Sequence, residues 1–270
     1  MRRLFYQWHC EFNLSALTSP AFVFLDAVDS TNEEAKRRVQ SGQNEACWII
    51  ADRQTAGRGR RGRVWESPIG NLMVSLLLPG PFKADTAAQL SFVSGLALLH
   101  LVKESVNKET KPKVSLKWPN DVLVDGRKIS GILLEAASIE DGEIRELVIG
   151  MGVNLIHHPS DTPYPATHIG EWTMTPPNNI SAAQILAEQF SYFYGQWFSN
   201  GFSEIRKAWL EHAKGLGEPI EVHLETETLS GVFQGLDSRG QLALRLDDGQ
   251  VQNIAAGDVY FPNVDGKQSS

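Results

Sequence analysis

The sequence predicts an α+β fold: a mixed-sheet domain over residues 1–215, then a small β barrel over residues 216–264. Three observations carry this reading. Apolar, β-rich runs alternate irregularly with long helical stretches as far as Ala213. From Pro219 the pattern changes to short strands with close turns. Between the two, Gly215 and Gly217 end the helical part. Residues 265–270 read as a frayed tail.

Each element follows from local chemistry. Phe22–Leu25 is a short apolar strand. Ser30 followed by Glu33 has capping-box spacing, and Glu33 and Glu34 suit the positive end of a helix dipole. A helix therefore runs to about Ser41, with Gly42 as its stop. On spacing alone, capping is a sufficient account of Ser30-Thr31-Asn32. Cys47–Ala51 and Asn71–Leu78 are strands, the second closed by Pro79-Gly80-Pro81. Asp85–Glu104 is a long helix with Leu90, Val93, Leu96, Ala97 and Leu101 on one stripe. Val114–Trp118 is a strand. Asp125-Gly126 between β-rich runs is a two-residue hairpin, which puts Lys128 at the start of a returning strand that continues through Glu135. Ile144–Ile149 runs into Gly150-Met151-Gly152-Val153-Asn154, whose glycines leave room for a flat ligand beside the backbone.

Residues 157–179, rich in Pro, Thr, His and Asn, read as a long surface loop. His157 and His158 are adjacent there, and the sequence shows no third metal ligand beside them. Ser181–Phe198 and Ser203–Ala213 are helices, with Trp209 a core residue. Five short strands follow: Ile220–Leu224, Thr228–Leu236, Gln241–Leu246, Val251–Ile254 and Val259–Phe261.

Composition narrows the function. The 270 residues carry 25 basic and 32 acidic side chains, a net charge of −7. That argues against a general nucleic-acid binder. Cys10 and Cys47 have neither zinc spacing nor a disulfide framework and read as reduced, buried thiols. The N-terminus has no clean apolar segment with a cleavage site, so it is not read as a signal peptide. The helix around Leu90–Val102 reads as too short and too mixed to span a bilayer. A cytoplasmic location is expected, with no membrane partner.

One stretch departs from the acidic background. Gly57-Arg58-Gly59-Arg60-Arg61-Gly62-Arg63-Val64-Trp65 alternates four arginines with three glycines between two strands. Glycine permits close backbone approach, successive N–H groups can cup an anion, and the guanidinium fork suits carboxylate and phosphate oxygens. The stretch wants an anion, and a focused site for a small one fits an acidic protein better than a phosphodiester track.

Read in order, the set is specific. It comprises a capped helix start at Asp29–Glu33, Gln54 before the Arg-Gly loop, Lys117-Trp118-Pro119-Asn120-Asp121, the hairpin Lys128, and Gly150-x-Gly152-x-Asn154. From Asp29 to Asn154 it resembles the biotin–protein ligases, in a short form without their N-terminal DNA-binding domain. The terminal β module matches that family's C-terminal domain in position and size. The resemblance implies the class II aminoacyl-tRNA synthetase/biotin ligase fold and an SH3-like barrel. It also implies a two-step reaction. Biotin attacks the α-phosphorus of ATP to give biotinyl-5′-AMP and pyrophosphate, and a lysine of a biotin carboxyl carrier domain of a carboxylase then takes the biotin.

On that resemblance Lys128, Arg58 and Arg60 are catalytic. Ser30, Thr31 and Asn32 form part of the biotin pocket, and Gln54 meets the ureido group. Trp65 borders the adenylate, and Asn154 meets the adenine edge. Gly57, Gly59, Lys117, Asn120 and Gly131 complete the substrate-binding set. Mg²⁺ accompanies ATP, with its ligands unknown and Asp121 the one candidate. The loop is expected to be mobile until it orders over the adenylate. Only about twenty residues precede the first strand, so operator binding is not expected. Monomer and homodimer both stay open. The alternatives are a lipoate or octanoate ligase or transferase of the same superfamily, and an Arg/Gly-loop nucleic-acid-binding protein.

Overall fold

Period-two alternation lays out the main sheet. The computed structural model describes residues 21–262 apart from 44, 107, 108, 110, 111 and 163. Cys10, the N-terminal reading and the 265–270 tail lie outside the described residues. The strands are β1 (Ala21–Leu25), β2 (Cys47–Ala51), β3 (Leu72–Phe82), β4 (Val114–Lys117), β5 (Asp121–Val124), β6 (Arg127–Glu140) and β7 (Glu143–Val153). Their spatial order is β1-β2-β3-β7-β6-β5-β4. β1 and β2 are parallel and every other pair is antiparallel, so the sheet is mixed.

Leu72, Val74, Leu76 and Leu78 of β3, with Ile149, Met151 and Val153 of β7, enter the large core. That core also holds residues of α2 (Ala84–Ser105), α3 (Asn179–Asn200) and α4 (Phe202–Leu210). The alternate positions face the other way. There α1 (Thr31–Gln40) covers one end of the sheet through a small cluster of Ala35, Cys47, Ile49, Leu77 and Val148. The other end of that face stays open. It holds a register row of Met73, Gly152, Gly131, Asp121 and Lys117 across five strands. Two central glycines without side chains make the row a trough.

Several elements differ from expectation for identifiable reasons. β3 passes through Pro79-Gly80-Pro81 to Phe82, because its register shifts there and the missing proline N–H groups fall at the irregularity. β6 and β7 extend to a second turn at Asp141-Gly142, both at positive φ; Ile139 and Glu140 are exposed, so the apolar signal fades before the strands end. α2 is not a one-stripe helix. It is buried on nearly all sides, between the sheet and α3 and α4. At 22 residues it is also not too short to cross a membrane, but 67% of its apolar window is buried within the protein. Ser30 stands at the N-cap of α1 without a side-chain capping bond. Its side chain lines a cavity, and Glu33 pairs with Lys36 and Arg58 instead of closing a capping box.

By contrast, Asn178 caps α3 by accepting from Ser181 N–H at 2.8 Å. Asn178→Ala is expected to cost about 1 kcal/mol, read as a lower urea midpoint at unchanged slope.

The second sheet comprises β8 (Pro219–His223), β9 (Thr228–Leu236), β10 (Leu242–Arg245), β11 (Val251–Ile254) and β12 (Asp258–Tyr260). It is antiparallel in the order β11-β10-β9-β8-β12, and its architecture is SH3-like. Trp118 anchors it: the buried indole N–H donates to Gly240 carbonyl at 3.1 Å. Gly240 has φ +82°, and a Cβ there would lie 2.5 Å from Phe92. The outer edge of β4 is covered by 212–214, where Leu116 N–H donates to His212 carbonyl and Lys214 N–H to Leu116 carbonyl.

Candidate active site

A cavity of about 440 Å³ lies over the glycine trough. Ser30, Thr31, Asn32, Gln54, Arg58, Gly59, Arg60, Trp65, Lys117, Asn120, Asp121, Lys128, Gly131 and Asn154 all line it. Gly57 sits behind the wall. A Cβ on it would lie 2.4 Å from Trp65 carbonyl and 2.6 Å from Ser67 Oγ.

One end is a buried network of small polar groups. Gln54 Oε1 accepts from Thr31 N–H at 2.8 Å and from Thr31 Oγ1 at 3.1 Å, while Gln54 Nε2 donates to Ser67 Oγ at 2.9 Å. Ser75 Oγ lies 2.7 Å from Thr31 Oγ1 and 2.5 Å from Asn32 Oδ1. Asn32 Nδ2 donates to Glu135 Oε2 at 2.7 Å, and Glu135 also pairs with Lys36 at 2.7 Å. Those cationic and amide donors hold the Glu135 carboxyl below its usual range against the opposing effect of burial. Satisfied networks of this kind fix side-chain positions.

The middle is the trough. Trp65 lies flat on it, since a Cβ at Gly152 would meet the indole at 2.4 Å and one at Gly131 at 3.3 Å. The room that the glycines leave is thus taken by protein side chains as well: Gly150 likewise admits Asn32, 2.3 Å from where its Cβ would be. Lys128 Nζ sits 2.6 Å from Asp121 Oδ1 and 5.6 Å from the Trp65 ring centroid. Asp121 Oδ1 is buried and, among the described residues, has no hydrogen bond beyond this ion pair.

The Arg-Gly loop folds back on itself, with Gly59 N–H donating to Arg63 carbonyl at 2.7 Å and Trp65 N–H to Gly57 carbonyl at 3.0 Å. Arg61 takes the left-handed conformation at φ 55°. The four guanidinium groups part company. Arg58 pairs with Glu33, and Arg61 and Arg63 both pair with Asp258 of β12. Arg60 instead donates to a neutral amide, Asn120 Oδ1, at 3.1 Å, and burial lowers its pKa. A desolvated cation without a carboxylate in contact gains most from an incoming anion.

The far end differs from expectation. Residues 157–172 are more than a surface loop: Tyr164 and Ala166 line the cavity, Thr167 and Ile169 are buried, and Ile169–Glu171 form a 3₁₀ turn. This segment is stitched to the site by Lys128 N–H to Pro165 carbonyl at 2.7 Å and Thr167 N–H to Lys128 carbonyl at 2.9 Å. Asn154 Nδ2 donates to Thr167 carbonyl at 3.0 Å. Lys117 is buried with its ammonium 3.4 Å from the Tyr164 ring centroid.

A cavity with a polar-network end, a cation-rich middle and a separate amide-bearing end fits a long ligand with an acidic group at its centre. Comparison with known proteins identifies the family. Residues 24–154 match the model of the biotin/lipoate A/B protein ligase family, and residues 215–261 match the biotin protein ligase C-terminal domain. The biotin–[acetyl-CoA-carboxylase] ligase of Paracoccus denitrificans is 39% identical over 88% of this chain and 99% of its own. This chain belongs to the biotin protein ligase family. The fold of the Aquifex aeolicus biotin protein ligase, solved in complex with biotin and ATP, superposes with a TM-score of 0.73 at 28% identity, over 89% of this chain and 98% of that one. The Leishmania major biotin protein ligase, solved with biotinyl-5-AMP, superposes with a TM-score of 0.61 at 26% identity, over 88% and 99%.

Within this member of the biotin protein ligase family, three residues that hold side chains lining the cavity are not marked by the sequence motifs. Ser75 is a lone hydroxyl in an apolar strand, and that mismatch was the available signal. Glu135 and Asp258 act through partners about a hundred and two hundred residues away, and nothing local marks them.

Proposed function

We propose that this chain activates biotin with ATP and passes it to a lysine of a carboxylase's biotin carboxyl carrier domain. The observation that carries the reading is the placement of Lys128 and Arg60 between the Thr31–Asn32–Gln54 network and the Asn154 end. Biotin lies along the trough with its ureido group toward Gln54 and Asn32. Its carboxylate meets the α-phosphate beside Lys128 and Arg60. A carboxylate oxygen attacks the α-phosphorus, the bond to the bridging oxygen breaks, and pyrophosphate leaves. The acceptor amine then attacks the acyl carbon, loses its proton, and AMP departs. Both steps need positioning and charge stabilisation, with no protein nucleophile.

Mg²⁺ fits this donor set in a limited way. Asp121 would offer it one carboxylate, and the triphosphate would offer further oxygens. When bound, the ion neutralises phosphate charge. Trp65 shields the middle of the trough, and Asn154, whose amide pins residue 167, stands at the adenine end. Gly57 supports the loop from behind. The domain limits 1–215 and 216–264 are part of the same proposal, supported by the change of sheet between α4 and β8. A cytoplasmic location goes with these substrates. Among the described residues β1 is the uncovered sheet edge, which a homodimer that pairs edges would use. No nucleic-acid track is proposed, since Arg61 and Arg63 are engaged by Asp258.

Arg60→Ala tests the lid role. Release of free biotinyl-AMP into solution is expected to rise about tenfold, the equivalent of ~1.4 kcal/mol of lost holding energy. Retention equal to wild type in a direct assay of the released adenylate would count against it. The same incubation with lipoate or octanoate replacing biotin should yield no adenylate.

A further inference from the structure

We infer that His158, His168 and Glu171 form a binding site for one Zn²⁺-class divalent ion, which staples the part of the cavity wall that carries Tyr164 and Ala166. The three candidate donor atoms all lie within 4.8 Å of one another. His158 Nδ1 and His168 Nδ1 face each other at 2.7 Å, with their rings stacked at 5.0 Å between centroids. Glu171 Oε1 lies 3.3 Å from the first and 3.6 Å from the second. An ion about 2.0–2.1 Å from each donor would hold tetrahedral ligand atoms roughly 3.3 Å apart, so the two imidazole nitrogens at 2.7 Å must separate by about 0.6 Å while the carboxylate oxygen, at 3.3 and 3.6 Å, is already near its place.

Hydrogen bonding alone serves this cluster poorly. One proton can lie between the two Nδ1 atoms. The carboxylate oxygen is then left at 3.3 and 3.6 Å, beyond the ~2.7–2.9 Å of a charge-assisted bond. Three candidate donor atoms thus lie close together, and a cation among them would take up all three. Glu171 is also pre-oriented in the way metal ligands are. Its Oε2 accepts from Arg127 at 2.6 Å and from Thr167 Oγ1 at 3.0 Å, which turns Oε1 toward the imidazoles. Thr167 Oγ1 in turn accepts from Trp172 Nε1 at 2.9 Å. Two nitrogens and one oxygen, partly open to solvent, suit Zn²⁺ with a water in the fourth position better than Mg²⁺. Because the loop carries Tyr164, Ala166 and Thr167 to Lys128 and Asn154, the ion would stiffen the wall of the cavity from outside it. The site stands on its own geometry, whatever the reaction.

The test uses the full chain without a histidine tag, stripped with chelator and dialysed, then titrated with Zn²⁺ by calorimetry and with Co²⁺ by visible absorption. The expected result is one equivalent bound, with Co²⁺ ligand-field bands and no thiolate charge-transfer band, and a raised unfolding temperature. His168→Ala and Glu171→Gln should each weaken binding at least ~10-fold. Absence of binding by the wild-type chain at millimolar free Zn²⁺ would overturn the inference without recourse to any variant. So would equal stoichiometry and affinity in the folded His158→Gln and Glu171→Gln variants, or a thiolate band that places the ion on cysteine.

Discussion

Lys128→Met is expected to slow biotin-dependent pyrophosphate release by about 10²–10³-fold in single turnover, by analogy with loss of one preorganised donor at a developing charge. The size follows from where Nζ sits. It lies above the Gly131 backbone, 3.4 Å from the position of a Cβ there, and 2.6 Å from Asp121 Oδ1. A carboxylate and a triphosphate must meet within the same space, and their repulsion is offset by the cations that line it. Removing Lys128 has a second effect. Asp121 Oδ1 is buried with this ion pair as its partner, so the variant leaves an uncompensated carboxylate facing two anionic substrates. The two effects separate in a cycle. Lys128→Met with Asp121→Asn removes the stranded charge and should recover affinity for metal-free ATP, measured by calorimetry without Mg²⁺, while the rate of adenylate formation stays low. Recovery of both would make Lys128 a structural counter-ion only, and a wild-type rate in the single variant would remove it from the mechanism.

The parts of this protein that were legible in its sequence are those whose cause is local. The Asp125-Gly126 hairpin is written in two residues, and it fixes Lys128 at the site; both residues take positive φ as such a turn requires. The Arg-Gly stretch declares its anion chemistry through residue type. The apolar strands declare themselves through short apolar runs bounded by turn residues. What stayed hidden depends on partners far along the chain. Nothing near Arg61 says that it and Arg63 will meet Asp258, or near Trp118 that its indole will hold the second sheet through Gly240. Residues 157–172 carry loop composition, yet their backbone pairs with Lys128 and puts Tyr164 into the cavity wall. That pairing also supplies His168 and Glu171 to His158, the ligands that the sequence alone did not reveal. Ser30 shows the limit from the other side. Its spacing to Glu33 fits a capping box, but Ser30 lines the cavity without a side-chain capping bond, and Glu33 pairs with Lys36 and Arg58.

Gly150→Ala and Gly152→Ala are expected to disable opposite halves of the same trough. Both glycines face the open side of β7, two residues apart, so one methyl group lands under each of two different side chains. A Cβ at Gly150 would lie 2.3 Å from Asn32 Oδ1, and Asn32 cannot simply swing aside. Its amide is held by Ser75 at 2.5 Å and by Glu135 at 2.7 Å, and its backbone lies in the first turn of α1. Relief of the clash therefore breaks the buried network that includes Thr31 and Gln54. Biotin affinity should fall about 100-fold or more, ~2.7 kcal/mol, with ATP affinity changed far less. A Cβ at Gly152 would lie 2.4 Å from Trp65 Cε2 and 2.5 Å from Nε1. The Trp65 backbone is fixed by its N–H to Gly57 carbonyl, so the indole must rotate off the trough. There the loss should appear in adenylate formation, about 100-fold, with biotin affinity less affected. Calorimetry with biotin and with a non-hydrolysable ATP analogue, beside pyrophosphate release, reads the two patterns apart. Equal losses of both affinities in both variants would show that the strand had merely been disordered, and the division of the trough into a network end and a stacking end would not stand.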